Sequence, residues 1–203
     1  MPKGKEPILI VGGGPAGLTT ALRLSQFGVR SIVLEKNKTV QNELRASTFH
    51  PPTIEMLDEL GVAAELISIG LKTKCWQFRV HETGEKAVFD LGHIAQDTKY
   101  AYRLQVEQKE LCRLATNKAE ADENIELRMG HKFEGLRQKE GFVEIKARNK
   151  NHKEYKIETP IMIAADGSSS EIRKTMDLEF PGLTYPETTI LVATEFPFHE
   201  HIN

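Results

Sequence analysis

Residues 8–17 read Ile-Leu-Ile-Val-Gly-Gly-Gly-Pro-Ala-Gly, an apolar run that leads directly into a glycine-rich turn. The run is typical of a buried strand, and the alanine- and leucine-rich stretch after it is typical of a helix. Gly12, Gly14 and Gly17 fill the GxGxxG pattern, whose glycines make the tight turn, leave space for a phosphate and let the helix approach the strand. The pattern therefore predicts that the pyrophosphate of a dinucleotide binds at the start of this helix.

A second strand with an acidic end follows the helix. Gly28 is placed to end the helix, and the apolar run Ser31–Leu34 leads into Glu35. An acidic side chain at this distance from the glycines can accept both ribose hydroxyls of an adenosine. The alternative is a plain βαβ unit whose glycines only make a turn and whose Glu35 is a solvated strand end. Because turn, helix and acid occur together in register, the sequence favours dinucleotide binding.

Composition and charge limit the classes of function. The 203 residues are 39% hydrophobic and 28% charged, which fits one domain and part of another. The 27 basic and 29 acidic residues are well mixed, so we expect no broad surface for nucleic acid or anionic lipid. Cys75 and Cys112 lack a CxxC spacing, and Cys112 is expected to pack in the core. Without a signal-like leader or an apolar run of membrane-spanning length, we expect a cytoplasmic protein with no membrane span.

Periodicity and turn signals predict the remaining elements. The segment Lys74–Asp90 alternates as a hairpin does, and we expect its Trp76 and Phe78 to lie in a sheet core. The run Ile161–Ala165 is typical of a fully buried parallel strand. We also expect helices over 51–60, 62–69, 106–117 and 171–176, a solvated tail over 118–123, and strands over 125–129, 132–138, 142–147, 155–158 and 188–195.

Four separated stretches together resemble the N-terminal part of the class A flavoprotein monooxygenases, the family of para-hydroxybenzoate hydroxylase and phenol hydroxylase. The stretches are residues 10–17 with Glu35, residues 45–48 with 52–61, residues 105–111, and residues 164–173. In the last stretch Ala164 stands where the family commonly has glycine. The resemblance covers nearly the whole chain.

The resemblance implies a fold and a reaction. The fold would be α/β, a Rossmann-like FAD-binding domain with a parallel sheet and a three-stranded antiparallel meander, plus part of a β-rich substrate domain. FAD would be the resident cofactor, NAD(P)H the transient reductant, and a phenol-like aromatic ring the substrate hydroxylated with oxygen. Whether NADH or NADPH is used stays open.

The resemblance also implies roles for individual residues. Arg45 would reach the FAD pyrophosphate, Ser47 and Thr48 would lie near the flavin edge, and Gln105 would contact the ribityl or phosphate region, with Gln108 a weaker candidate. Asp166 and Gly167 would assist flavin binding. Three of these roles have a plainer alternative. Arg45 would be a surface arginine before a helix, Gln105 a polar residue at a helix start, and Asp166 with Gly167 an ordinary turn after a strand. The full predicted cofactor site is Gly12, Gly14, Pro15, Ala16, Gly17, Glu35, Lys36, Arg45, Ser47, Thr48, Gln105, Asp166 and Gly167.

The resemblance further implies a discontinuous and incomplete chain. We expect residues 1–73 and 101–178 to form the FAD-binding domain, and residues 74–100 and 179–203 to belong to an incomplete substrate domain. We expect such a truncated chain to bind FAD weakly, and no catalytic acid, base or nucleophile can be named in it. Three alternatives stay open: a non-hydroxylating reductase of this fold, a halogenase of this fold, and a non-catalytic nucleotide-binding fragment.

A metal site is not expected. His199 and His201 have a spacing that places two side chains on one face of a strand, but no third ligand is evident in the sequence. His50, next to Pro51, is interpreted as part of a helix start.

Overall fold

A four-stranded parallel sheet forms the centre of the molecule. The computed structural model describes residues 6–40, 45–80, 82–188, 190, 192 and 194–201, without the side chain of His199. The four strands are β1 (Ile8–Val11), β2 (Ser31–Glu35), β8 (Ile125–Met129) and β12 (Met162–Ala164), and their order in the sheet is β12-β1-β2-β8. The chain leaves β1 toward β2 on one side and returns as β12 on the other, so the carboxyl end of β1 is where ligands bind in such sheets.

Both faces of this sheet are covered, which explains why its strands read as continuous apolar runs. Ile10 and Val33 belong to the apolar cluster on the helical side. Leu9 and Leu34 point to the opposite face and pack in a second cluster with Ile145. Alternate residues of one strand therefore belong to two different cores.

The helices pack mainly on one face. The helices are α1 (Pro15–Gln26), α2 (Pro51–Glu59), α3 (Ala63–Ile69), α4 (Gln108–Glu120) and the short α5 (Glu171–Thr175). Helix α1 begins with proline in its first turn, and Gly28 follows its end with a φ of +68°. No helix in the described part of the chain has both the length and the apolar character needed to cross a bilayer.

In the described part of the chain, three antiparallel sheets complete the fold. The meander of β9 (Lys132–Lys139), β10 (Phe142–Arg148) and β11 (Glu154–Thr159) covers the face opposite the helices. A small sheet has the order β3-β7-β4, with β3 at Thr48–Phe49, β4 at Leu71–Thr73 and β7 at Arg103–Gln105. Strands β5 (Cys75–Arg79) and β6 (Lys86–Asp90) form the predicted hairpin. Single turns of 3₁₀ helix occur at Leu91–Ile94 and Phe198–Glu200.

Most predicted elements are confirmed, but three need correction. Helix α4 runs over Gln108–Glu120 rather than over 106–117, and Ala119 in the predicted solvated tail is buried, whereas Lys118 and Glu120 are exposed as predicted. Strand β12 is shorter than expected and is not fully buried, because it lies at one edge of the sheet and Ile161 before it is 53% exposed. No strand is found at residues 188, 190, 192, 194 and 195, and the rest of the predicted strand over 188–195 lies outside the described residues.

The prediction that Trp76 and Phe78 lie in a sheet core is wrong. Phe78 is 64% exposed, and Trp76 is only half-buried. Trp76 stacks instead on its cross-strand neighbour Phe89, with ring centroids 4.1 Å apart, and the Arg103 guanidinium lies 4.7 Å from the Trp76 ring centroid. The hairpin is held by this aromatic pair on the surface rather than by burial.

One buried hydroxyl joins the meander to the parallel sheet. Thr159, at the end of β11, is 1% exposed, and its Oγ1 lies 2.9 Å from the carbonyl oxygens of Pro7 and Ile161. We predict that Thr159→Val lowers the free energy of unfolding by about 1–3 kcal/mol, because it removes the hydroxyl that is placed to donate to the Pro7 carbonyl, whereas the Ile161 carbonyl keeps the Leu9 amide as a donor. Urea unfolding monitored by circular dichroism measures this, with exposed Thr188→Val as the control. Equal stability of the two variants would contradict the prediction.

Candidate functional site

The glycine turn between β1 and α1 is set by close backbone contacts. Gly12 has a φ of +112°, and a Cβ on it would lie 2.2 Å from the carbonyl oxygen of Ala165. A Cβ on Gly17 would lie 1.8 Å from the carbonyl oxygen of Gly12. No real Cβ tolerates such distances, so both positions require glycine to bring the helix onto the ends of β1 and β12.

Gly14 differs from these two glycines. A Cβ on Gly14 would meet nothing within 4 Å, and the backbone there is extended at φ −81°. Gly14 is the N-cap of α1, no side chain of the described residues hydrogen-bonds to this cap, and no acidic residue lies in the first turn. The start of a helix of this kind offers amide hydrogens and the positive end of the helix dipole to an anion.

Glu35, at the end of β2, faces this turn. Its Oε2 accepts a hydrogen bond of 2.7 Å from the Gly13 amide, and its Oε1 accepts one of 2.8 Å from the Asn37 amide. The Asn37 side-chain amide also donates to Oε1. A Cβ on Gly13 would lie 2.8 Å from Glu35 Cβ, so Gly13 is a required glycine that the GxGxxG pattern does not indicate.

A cavity of about 90 Å³ lies between the turn, the end of β2 and the start of α4. Four of the predicted site residues line it: Gly14, Pro15, Glu35 and Arg45. Gln108, the weaker candidate from the sequence, also lines the cavity. The sequence did not indicate the other lining residues, which are Gly13, Asn37, Thr39, Val40, Lys109, Cys112 and Met129. These residues come from four separate segments, namely the glycine turn, the loop after β2, helix α4 and the end of β8, so no local spacing in the sequence indicates them.

Two cationic side chains and one carboxylate line the same cavity. Arg45 and Lys109 lie on its wall together with Glu35. Lys109 also forms an ion pair with Glu107, which directly precedes α4. Opposite charges are thereby placed for the two parts of a nucleotide, since cations suit phosphate oxygens and a carboxylate suits sugar hydroxyls.

Cys112 packs in the core, as predicted, and also reaches the cavity wall. It is 7% exposed, on the buried face of α4. Burial raises the pKa of its thiol to about 11, the negative charge of Glu35 adds to the increase, and the positive charge of Arg45 opposes it. A thiol with this pKa is almost entirely protonated at neutral pH and acts as a small apolar side chain.

Ser47, Thr48 and Gln105 are brought together beside the turn. Thr48 pairs with Gln105 across strands β3 and β7, and the Thr48 hydroxyl donates to Gln105 Oε1 at 2.8 Å. The Val106 amide donates to the carbonyl oxygen of Ser47 at 2.9 Å. The sequence places these residues far apart, and the antiparallel pairing joins them.

Asp166 and Gly167 follow the end of β12. A Cβ on Gly12 would lie 3.0 Å from the Asp166 amide nitrogen, so the backbone of Asp166 packs against the turn. The Asp166 carboxylate accepts hydrogen bonds from the Ser170 hydroxyl at 2.6 Å and from the Ile172 amide at 3.1 Å. Asp166 thereby holds the start of α5 at the same edge of the sheet as the glycine turn.

The remaining predicted residues lie elsewhere. Ala16 and Thr48 line a larger groove of about 480 Å³ between α1 and α2. Lys36 is exposed and lines neither the groove nor the cavity. His50 is exposed and directly precedes α2, in agreement with its interpretation as part of a helix start. In the described part of the chain, no group of three or more His, Cys, Asp or Glu residues is arranged to hold a metal ion.

Comparisons with known proteins give a consistent result. The chain matches the family model described as FAD binding domain over residues 5–201. It is 29% identical, over 97% of its length, to para-nitrophenol 4-monooxygenase of Pseudomonas sp. strain WBC-3. It is 30% identical, over 96% of its length, to 6-hydroxy-3-succinoylpyridine 3-monooxygenase HspB of Pseudomonas putida strain DSM 28022 / S16.

A solved structure gives the same picture. The fold superposes on crystalline p-nitrophenol 4-monooxygenase PnpA from Pseudomonas putida DLL-E4 with a TM-score of 0.83, at 32% identity and over 89% of this chain. The match covers 45% of PnpA, and the two sequence relatives are covered over 48% and 49% of their lengths. The chain thus spans about half the length of these relatives.

The glycine turn yields a paired prediction. Gly17→Ala should lower the free energy of unfolding by at least about 2 kcal/mol, because its methyl group overlaps the Gly12 carbonyl. Gly14→Ala should lower the free energy of unfolding by only about 1 kcal/mol, because alanine is a poorer N-cap than glycine but meets no clash, yet it should weaken ADP binding at least about tenfold by placing a methyl group where phosphate binds. Urea unfolding and calorimetric titration with ADP measure the two effects. A Gly14→Ala variant that binds ADP as the wild type does would contradict the assignment.

The raised pKa of Cys112 predicts slow labelling. In a Cys75→Ser variant, the thiolate fraction of Cys112 at pH 8 is about one in a thousand, given a pKa of about 11. Alkylation by iodoacetamide should accelerate about tenfold per pH unit from pH 7 to 10 without reaching a plateau. Saturating ADP should slow it further, since Cys112 lines the cavity. The exposed Cys75, in a Cys112→Ser variant, is the control. A plateau near pH 9 for Cys112 would show an ordinary thiol.

Proposed function

The chain belongs to the FAD binding domain family, and from this premise we propose that it binds FAD and forms the dinucleotide-binding part of an aromatic monooxygenase. The observation that carries the proposal is the pairing of an uncapped helix start with a carboxylate across a cavity. The α1 start suits a pyrophosphate, and Glu35 suits a ribose. The positive charges of Arg45 and Lys109 on the cavity wall support the same ligand, because cations suit phosphate oxygens.

The residues present fit FAD in detail. Gly14 keeps the space above the helix start clear, and the α1 amides with Arg45 and Lys109 would hold the pyrophosphate. Glu35 would accept from the ribose of the adenosine. Val40 and Met129, both half-buried on the cavity wall, would provide apolar contact for the adenine.

The flavin end would lie toward the second group of residues. Thr48 and Gln105 are already joined by a hydrogen bond to Gln105 Oε1, and no described residue accepts from the Gln105 side-chain NH₂, which could therefore donate to a ligand. The backbone of Asp166 packs against Gly12 on the other side of the turn. We propose that these groups contact the ribityl chain and the flavin edge, whereas Lys36 serves only as a solvent-exposed neighbour of the ribose site.

The reaction proposed is hydroxylation of a phenol-like ring, with NAD(P)H as reductant and oxygen as co-substrate. FAD, when bound, supplies the redox and oxygen-transfer chemistry. The relatives named for para-nitrophenol, 6-hydroxy-3-succinoylpyridine and pentachlorophenol support an aromatic substrate. The contribution of this chain would be to bind and orient the cofactor and to shield one side of it from water.

The domain division is also part of the proposal. We propose that residues 1–73 and 101–178 form the FAD-binding unit and that residues 74–100 and 179–203 belong to a substrate-binding region. The exposed apolar side chains of the second set, such as Phe78 and Leu183, support this division, because they are suited to contact further protein or substrate. A reducing cytoplasm is the compartment that suits two free thiols.

The proposed ribose contact predicts the effect of removing one charge. Glu35→Gln should weaken ADP binding about 10- to 100-fold, since a hydrogen bond to a charged group contributes roughly 1.5–3 kcal/mol. FAD binding, followed by the visible absorption of the flavin, should weaken in parallel. Glu55→Gln on the exposed face of α2 is the matched control and should bind both ligands as the wild type does.

Two results would count against the proposal. The first is a wild-type chain that shows no calorimetric binding of ADP at millimolar concentrations. The second is equal ADP affinity in Glu35→Gln and Glu55→Gln. Either would leave the family membership intact but remove this cavity as the nucleotide site.

A further inference from the structure

The loop after β2 is anchored on both sides of Asn37. The Asn37 side-chain amide and backbone amide both donate to Glu35 Oε1. The Asn37 carbonyl accepts a hydrogen bond of 2.8 Å from the Gly130 amide, and the Glu35 carbonyl accepts one of 2.8 Å from the His131 amide. Asn37 is therefore tied at once to the carboxylate beside it and to the turn between β8 and β9.

These contacts use up most of the acceptor capacity of Glu35. An ionised carboxylate has two oxygens with about four lone-pair positions in total. Two positions on Oε1 are taken by Asn37, and one position on Oε2 is taken by the Gly13 amide. Among the residues that the structure describes, one position therefore remains, on Oε2.

We propose that Asn37 is a positioning residue that leaves Glu35 one usable acceptor, so that the ribose of the bound dinucleotide is held through a single hydroxyl. The inference rests on the proposed function, because it assumes that Glu35 faces the ribose. It differs from the expectation drawn from the sequence, in which Glu35 accepts both hydroxyls. Asn37 and Glu35 both line the cavity, so the arrangement lies where the ligand would bind.

The hydrogen bonds to Glu35 also reduce the conformational entropy that ligand binding would cost. A glutamate side chain has three rotatable bonds, and fixing it costs conformational entropy at each binding event unless the protein fixes it beforehand. Three donors from Gly13 and Asn37 hold the carboxylate before any ligand arrives. Asn37 thus helps to fix the carboxylate on the cavity wall and at the same time occupies the acceptor positions of Oε1.

Titrations with ADP, 2′-deoxy-ADP and 3′-deoxy-ADP test the inference. In the wild type, one deoxy analogue should bind at least about tenfold more weakly than ADP, whereas the other should stay within about threefold of ADP. In Asn37→Ala, Oε1 regains one acceptor position because the side-chain donor is lost, while the backbone amides of residues 13 and 37 still donate to the carboxylate. The ratio between the two analogues should then fall to about twofold or less.

A purely structural role for Asn37 gives a different pattern. Loss of general stability would weaken the three ligands by one common factor and leave the ratio between the analogues unchanged. Thr39→Ala is the matched control, because Thr39 lines the same cavity and no hydrogen bond joins it to Glu35 in the described residues. Asn37→Asp, which keeps the shape but cannot donate from its ionised side chain, should lose the asymmetry as Asn37→Ala does, and it serves if the alanine variant does not fold.

The possible outcomes separate the inference from the proposed function. No binding of ADP to the wild type would overturn the proposed function. Binding of ADP with both analogues weakened alike, or with neither weakened, would overturn the inference alone. Asymmetry in the wild type that persists in Asn37→Ala and Asn37→Asp would also overturn it.

Discussion

The approach of helix α1 to strand β1 is the constraint on which the rest of the site depends. The missing Cβ of Gly17 allows the helix to pass the Gly12 carbonyl at a distance that any other residue would block. This contact fixes the start of the helix over the carboxyl end of β1, between β2 and β12. Glu35, the last residue of β2, and Asp166, which follows β12, reach the same edge of the sheet as a consequence.

The two carboxylates at this edge are both held by groups of the protein itself. Glu35 accepts from Gly13 and Asn37, and Asp166 accepts from Ser170 and Ile172. A carboxylate oriented in this way needs little rearrangement when a ligand arrives, and fewer of its lone pairs are open to that ligand. The hydrogen bonds that orient each carboxylate therefore also reduce the number of hydrogen bonds that it can accept from a ligand.

The wall of the cavity opposite the turn comes from a different part of the chain. Helix α4 packs against α1 through one apolar cluster, and its first two turns carry Lys109 and Cys112 to the cavity. Packing of two helices thereby decides which polar groups face the nucleotide. The small sheet of β3, β4 and β7 does the same for Thr48 and Gln105, whose hydrogen bond crosses 57 positions of sequence.

Local pattern alone determined the glycine turn, the central strands, the meander and the position of Glu35, because each depends on residues close in the sequence whose spacing follows helix or strand geometry. Only the tertiary structure decided that Gly13 must be glycine, that Asn37 occupies one oxygen of Glu35, and that Trp76 lies on a surface hairpin. These features arise from contacts between segments, and local periodicity does not indicate which segments come into contact. The turn itself could be predicted for the opposite reason. A Cβ on Gly17 would lie within 2 Å of the Gly12 carbonyl oxygen, so only glycine is possible there, and a required glycine is visible in the sequence.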